Sequence, residues 1–167
     1  MTDSASRLWD AYLASGSPEA LAAVDATYSA WQFGYGVDQG DRLLACVLEG
    51  PKRATTGALW AYEAEGEAIP VPGDYSVVLD GHGVARCIIR TIRVDVLPFD
   101  EVDAEFAYAE GEGDRSLGYW RDAHWPYFVR ELAELGREAT RDMPVVCERF
   151  EVVYRSSGGS RGSGERG

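Results

Sequence analysis

Tyr75 to Asp80 and Val84 to Leu97 are two strand-forming runs separated by Gly81-His82-Gly83, and no other stretch restricts the fold as much. Val77, Val78 and Leu79 favour extended backbone, and a short glycine-bearing loop between two such runs reads as a hairpin. The sheet is therefore at least partly antiparallel. Around it the order is two short opening helices, an extended piece at Ala30 to Gly34, and a helix over Asp38 to Glu49 that turns Leu43, Leu44, Val47 and Leu48 inward and stops at Gly50. Ser17-Pro18-Glu19 restarts the second opening helix as a cap followed by proline in the first turn. Lys52 to Thr56 leaves the third helix as a strand, Gly57 to Glu65 is compatible with a helix, and Val102 to Ala109 is a short one. Ser116 to Leu135 is a helix with Leu117, Trp120, His124, Phe128 and Leu132 on one stripe, which Pro126 is expected to split or kink. Met143 to Tyr154 is a last strand. The class is α+β, a curled sheet with helices packed around it.

With 167 residues the chain is expected to form one domain, and its five Trp, nine Tyr and five Phe argue for a folded globule. Three parts are expected: an N-terminal helical extension over 1–29, a principal domain over 30–154, and a flexible tail over 155–167 built of Gly, Ser and Arg with Glu165. The net charge is -12, and three of the arginines lie in that tail, so the body before it is more acidic still. Such a surface repels phosphate backbones, which disfavours duplex DNA and non-specific nucleic-acid binding and favours a small or nearly neutral ligand. Cys46, Cys87 and Cys147 sit in apolar runs with no C-x-x-C pair and read as buried thiols of a reducing compartment. Neither a signal peptide nor a membrane span is visible, so a cytoplasmic setting without membrane contact is expected.

Two segments carry chemistry. Gly50-Pro51-Lys52-Arg53-Ala54-Thr55-Thr56 sets two cations and two hydroxyls among small residues, which is poor core material and good pocket material. Lys52 and Arg53 read either as solvent-facing positions on an edge strand or as pocket cations. In a pocket of low dielectric a lysine loses its proton more easily and can act as a base, with Thr55 three residues on offering a hydroxyl as nucleophile or hydrogen-bond donor. Glu110-Gly111-Glu112-Gly113-Asp114 reads either as a solvated acidic turn or as a pocket rim in which Glu110 pairs with Lys52. A calcium loop is excluded, because counting from Glu110 the sixth position is Arg115 rather than Gly and the twelfth is Arg121 rather than Glu. His82 and His124 with scattered cysteines give no zinc spacing; His82 is expected in an exposed turn and His124 as a core or pocket-wall histidine. Trp31, Trp60, Trp120 and Trp125 are core by default, though an aromatic beside a polar pocket can stack on a base. No glycine set has a phosphate-binding spacing, so no metal and no cofactor is expected.

Taken together, Phe33-Gly34, Gly50-x-Lys52-x-Ala54-Thr55-Thr56, Pro72-Gly73-Asp74-Tyr75, Phe99-Asp100-x-Val102, Phe106 to Asp114 and Tyr119-Trp120-Arg121-Asp122-Ala123-His124 resemble the ASCH domain family, over roughly Ala30 to Tyr154. The resemblance implies a PUA-like, curled, largely antiparallel β-barrel with flanking helices, a fold associated with RNA ligands. One bacterial branch is similar to small amidohydrolases that remove the acetyl group from 4-N-acetylcytidine with a lysine, a threonine and a glutamate. Carried over, Lys52, Thr55 and Glu110 are the catalytic residues, Lys52 taking the proton of Thr55. Arg53, Thr56, Asp114, Trp120, Arg121 and His124 are then the substrate-binding candidates. The partner expected is a modified nucleoside or a single-stranded RNA fragment, since the family also contains single-strand ribonucleases and RNA binders without catalysis. Tyr35 stands where many relatives carry Asp after Phe-Gly, which bears on substrate choice. The two opening helices are candidates for a pocket cap, a cover for the sheet edge or a homodimer face.

Overall fold

A computed structural model describes residues 3–34 and 36–157. Tyr35 and the tail beyond 157 lie outside the described residues, as do the expectations attached to them. The elements run α1 (Ser4–Ala14), α2 (Pro18–Ala22), β1 (Tyr28–Trp31), α3 (Gly36–Glu49), β2 (Ala54–Ala58), α4 (Leu59–Glu65), β3 (Tyr75–Leu79), β4 (Ala85–Pro98), a 3-10 turn (Phe99–Glu101), α5 (Ala104–Glu110), α6 (Leu117–Glu134) and β5 (Pro144–Arg155). The strand order is β1-β3-β4-β5-β2. β3 pairs antiparallel with β4 and β2 antiparallel with β5, while β1 pairs parallel with β3. The expected closed barrel is corrected here to an open sheet. Closure needs the two end strands to pair, and the order leaves β1 and β2 at its two ends. Alternation along a strand is the same in an open and a closed sheet, so sequence periodicity could not separate them.

The chain forms two compact units. Of the described residues, the first comprises 3–34, 36–49, 73–90 and 151–157, the second 50–72 and 91–150. The first unit is organised on Leu8, Trp9 and Tyr12 of α1, which meet Val77 and Ile88 in one buried cluster. Trp9 lies 5.0 Å from Tyr28 and 5.2 Å from Tyr75 between ring centroids, so aromatic packing ties α1 to the first strands. Asp3 and Ser17 cap α1 and α2 by accepting from Ser6 N and Ala20 N. The hairpin forms as expected, with Asp80 Oδ1 accepting from His82 N and Val84 N and Arg86 holding the other oxygen at 2.8 Å. His82 is exposed, and of the thiols Cys87 and Cys147 are buried while Cys46 is only half-buried.

The second unit is built on Phe99, Phe106, Trp120, Phe128 and Leu132, packed on Ala54 and Ala58 of β2 and Val145 and Cys147 of β5. Asp103 and Ser116 cap α5 and α6. Of the two outcomes expected at Pro126, the split does not occur: α6 is one helix with the proline inside it. Proline removes one backbone hydrogen bond and crowds the preceding turn, but Pro126 is on the exposed face and buried Trp120, Phe128 and Leu132 hold the turns on either side. No helix among the described residues is long and apolar enough to cross a membrane.

Candidate functional site

The second unit gathers its charged groups at the start of β2. α5 ends at Glu110, and Gly111 follows in a left-handed conformation with φ of +72°. A Cβ on Gly111 would lie 2.8 Å from both Cα and N of Lys52, so only glycine lets this turn pass so close to the β2 approach. The backbone completes the docking, with Arg53 N donating to the Ala109 carbonyl at 2.8 Å. Glu110 and Lys52, 58 residues apart in sequence, are thereby brought together with 1 % side-chain exposure each. Lys52 Nζ donates to Glu110 Oε1 at 2.8 Å, to Glu112 Oε2 at 2.8 Å and to the Ala54 carbonyl at 2.9 Å.

The other oxygen of Glu110 is more crowded. Its Oε2 accepts from the Thr56 hydroxyl and from Trp120 Nε1 at 3.0 Å, and His124 Nε2 stands 3.3 Å away. His124 stacks on Trp120 at 4.4 Å between ring centroids, and its Nδ1 lies 2.9 Å from the Trp120 carbonyl oxygen. One α6 turn thus supplies two groups that face the same carboxylate, as an i, i+4 pair does. Of the cluster, Glu112 at 13 % and His124 at 14 % side-chain exposure are the members at its rim.

Burial alone would raise the pKa of Glu110, but the adjacent Lys52 and His124 charges and their hydrogen bonds outweigh it and hold the carboxyl well below its usual range. Burial would likewise lower Lys52, and the carboxylates of Glu110 and Glu112 more than reverse that, leaving Lys52 above its ordinary value. His124 follows the same pattern, its loss from burial overcome first by Glu110, so its pKa is raised. Lys52 thus holds its proton more firmly than an isolated lysine, the opposite of the shift that burial alone would give, because a low-dielectric pocket discharges a lysine only when no anion shares it. Glu110, Glu112 and His124 offer ligand atoms within 4.8 Å of one another, a grouping able to hold a cation. The Lys52 ammonium already bridges the two carboxylates, so a metal ion there would first have to displace it.

Thr55 lies on the other side of the strand. Successive strand residues face opposite ways, and Thr56, Ala54 and Ala58 face Glu110 and the buried cluster with Trp120. Thr55 and Gly57 accordingly face away, where the Tyr62 ring packs so closely that a Cβ on Gly57 would be 3.0 Å from it. The Thr55 hydroxyl makes no hydrogen bond among the described residues, and the residue is half-buried. Its cross-strand partner is Glu148, whose Oε2 accepts from the Thr91 hydroxyl at 2.6 Å.

The remaining sequence candidates divide cleanly. Arg53 is half-buried beside the cluster, its Nη1 donating to the Lys52 carbonyl at 2.6 Å. Asp114 is exposed and accepts from Ser116 N at the start of α6, and bonds from the Ser116 side chain and then its backbone lower its pKa. Arg121 donates to the Asp100 carbonyl at 3.2 Å. The structure brings neither Asp114 nor Arg121 to the cluster, because neither lies on the α5 end or on the Trp120–His124 stripe. Sequence reasoning named Glu112 only within the acidic segment, not as a site residue, and did not name Glu148. The Glu-Gly-Glu spacing was a usable signal for the first, whereas the second depends on the β2–β5 register.

The family model of the ASCH domain matches residues 29–154. This chain belongs to the ASCH domain family. Among solved structures, the ASCH domain from Lactobacillus crispatus JV V101 is 35 % identical over 93 % of this chain and 97 % of that one, with a TM-score of 0.84. A protein from Enterococcus faecalis V583 is 32 % identical over 98 % of this chain and 96 % of its own, with a TM-score of 0.83. No curated protein matches. The matched region of this ASCH domain contains every residue of the cluster and of the Thr55–Glu148 pair.

Proposed function

We propose that this ASCH domain is a small-molecule hydrolase that removes an acyl group from a modified nucleoside such as 4-N-acetylcytidine. One observation carries the reading. Lys52 Nζ binds the Ala54 carbonyl and Glu110 binds the Thr56 hydroxyl, so the residues before and after Thr55 are both fixed by one buried ion-pair cluster while the Thr55 hydroxyl stays free. A pre-positioned, uncommitted hydroxyl on a rigid strand is what a nucleophile needs. Thr55 Oγ attacks the acyl carbonyl, the C–N bond breaks, the nucleobase amine leaves with a proton, and water hydrolyses the resulting threonyl ester. Lys52 and Glu110 act as positioning residues in this scheme. The acidic surface favours an uncharged nucleoside over a polyanion, and the reading includes no duplex DNA, membrane or cofactor.

Mass-spectrometric conversion of 4-N-acetylcytidine to cytidine tests this, with Thr55→Ala and Thr56→Ala side by side. Conversion lost in Thr55→Ala and retained in part by Thr56→Ala supports the assignment. Absence of conversion by the wild type at high enzyme concentration rejects the substrate. Cleavage or retention of a short single-stranded RNA under the same conditions would move the function to the ribonuclease or RNA-binding members of the family.

A further inference from the structure

If Thr55 is the nucleophile, something must take its proton, and the cluster described above offers no acceptor. Lys52 is held as an ammonium by two carboxylates. Glu110 faces the other side of β2 and already meets Lys52, Thr56, Trp120 and His124. The strand register supplies a different group. Thr55 and Glu148 are direct cross-strand partners on β2 and β5, a relation that sets their Cβ atoms about 4.5–5.5 Å apart on one face. Glu148 is 5 % exposed and Thr91 is 1 % exposed, and the 2.6 Å bond from Thr91 Oγ1 fixes one carboxylate oxygen. The Thr55 hydroxyl is not bonded to Glu148 in this structure, but hydroxyl, carboxylate and a third group orienting the carboxylate share one face, the set that an activated nucleophile needs once substrate tightens it. The absence of a Cβ at Gly57 lets Tyr62 pack as one wall of this face.

We propose that Glu148 is the proton acceptor of Thr55, oriented by Thr91. The inference rests on the hydrolase reading above. Thr55 Oγ forms a bond to the acyl carbon as its proton passes to Glu148; when the C–N bond breaks, the same proton passes from Glu148 to the departing amine nitrogen. The carboxylate is regenerated; it then takes a proton from the water that attacks the ester carbonyl and returns it to Thr55 Oγ as the ester C–O bond breaks, which releases the carboxylic acid and restores both residues. No outside oxidant, reductant or metal enters the balance.

The test uses p-nitrophenyl acetate, an activated acyl donor that does not depend on the natural substrate. Acetylation is followed by intact mass and mapped by peptide mass, with thermal melts run alongside. Acetyl is expected on Thr55, with a rate about 100-fold or more lower in Glu148→Gln. Glu148→Asp, which keeps a carboxylate, is expected to retain more of the rate than Glu148→Gln even where both melt earlier. A wild-type rate in Glu148→Gln, the reverse order of the two variants, acetylation on Thr56 instead of Thr55, or no acetylation at all overturns the inference. Acetylated Thr55 without conversion of 4-N-acetylcytidine rejects the proposed substrate and leaves Glu148 in its role.

Discussion

Lys52 is the residue on which most of the second unit's buried charge depends. Its ammonium neutralises Glu110 and Glu112 at 2.8 Å each, and removing it leaves a buried carboxylate without its cation. Lys52→Ala is therefore expected to destabilise the fold by about 3–5 kcal/mol in urea unfolding, because the surviving partner of a buried pair keeps its desolvation cost. A loss of activity in that variant is informative only beside Thr55→Ala, which removes an unbonded hydroxyl. His124 gives a pH signature. Its folded pKa lies above the ordinary 6.5, so its bond with Glu110 contributes stability that is fully present below the unfolded value and lost as pH rises through the folded one. The melting temperature of the wild type should fall relative to that of His124→Gln as pH rises from the ordinary histidine range through the raised pKa of His124. Parallel curves for the two proteins would show that the imidazolium contributes nothing.

The turn between α5 and α6 and the start of β2 are the elements that make the site, and glycine geometry decides their approach. Gly66 and Gly111 both end helices in the left-handed region, with φ of +69° and +72°. Nothing lies within 4 Å of a Cβ at Gly66, whereas one at Gly111 meets the Lys52 backbone at 2.8 Å. Gly66→Ala should then cost only the backbone strain, about 1–2 kcal/mol. Gly111→Ala should cost about 2–5 kcal/mol, since strain and a backbone clash add. Chemical denaturation of the two variants gives the comparison, and equal losses would mean that α5 can move off Lys52 freely. Arg115 also takes a positive φ, 66°, with its Nε bonded to the Tyr108 carbonyl at 3.0 Å and its guanidinium 3.5 Å over the Tyr108 ring. The segment that carries Glu112 thus has left-handed residues at 111, 113 and 115.

For the whole molecule the governing quantity is its charge. A net -12 repels polyanions, so at about 0.15 M salt a long duplex should show no measurable association in a filter-binding assay. Turnover of an uncharged nucleoside should change little over the same salt range, and a steep salt dependence would argue for phosphate contacts in the site. Sequence alone determined the family motifs, the hairpin, most helices and the candidacy of Lys52, Thr55 and Glu110, because periodicity, turn glycines and local spacing are written within a few residues. It also pointed to the Lys52–Glu110 pairing through opposite charges in two small-residue segments. Tertiary structure decided what depends on distant residues meeting. It left the sheet open, carried α6 through Pro126, kept Asp114 and Arg121 out of the cluster, and turned Lys52 into a held ammonium. It also separated Thr55 from Glu110 and set it opposite Glu148, because which face of a strand a side chain takes, and what stands across from it, follows from the register with another strand some ninety residues away.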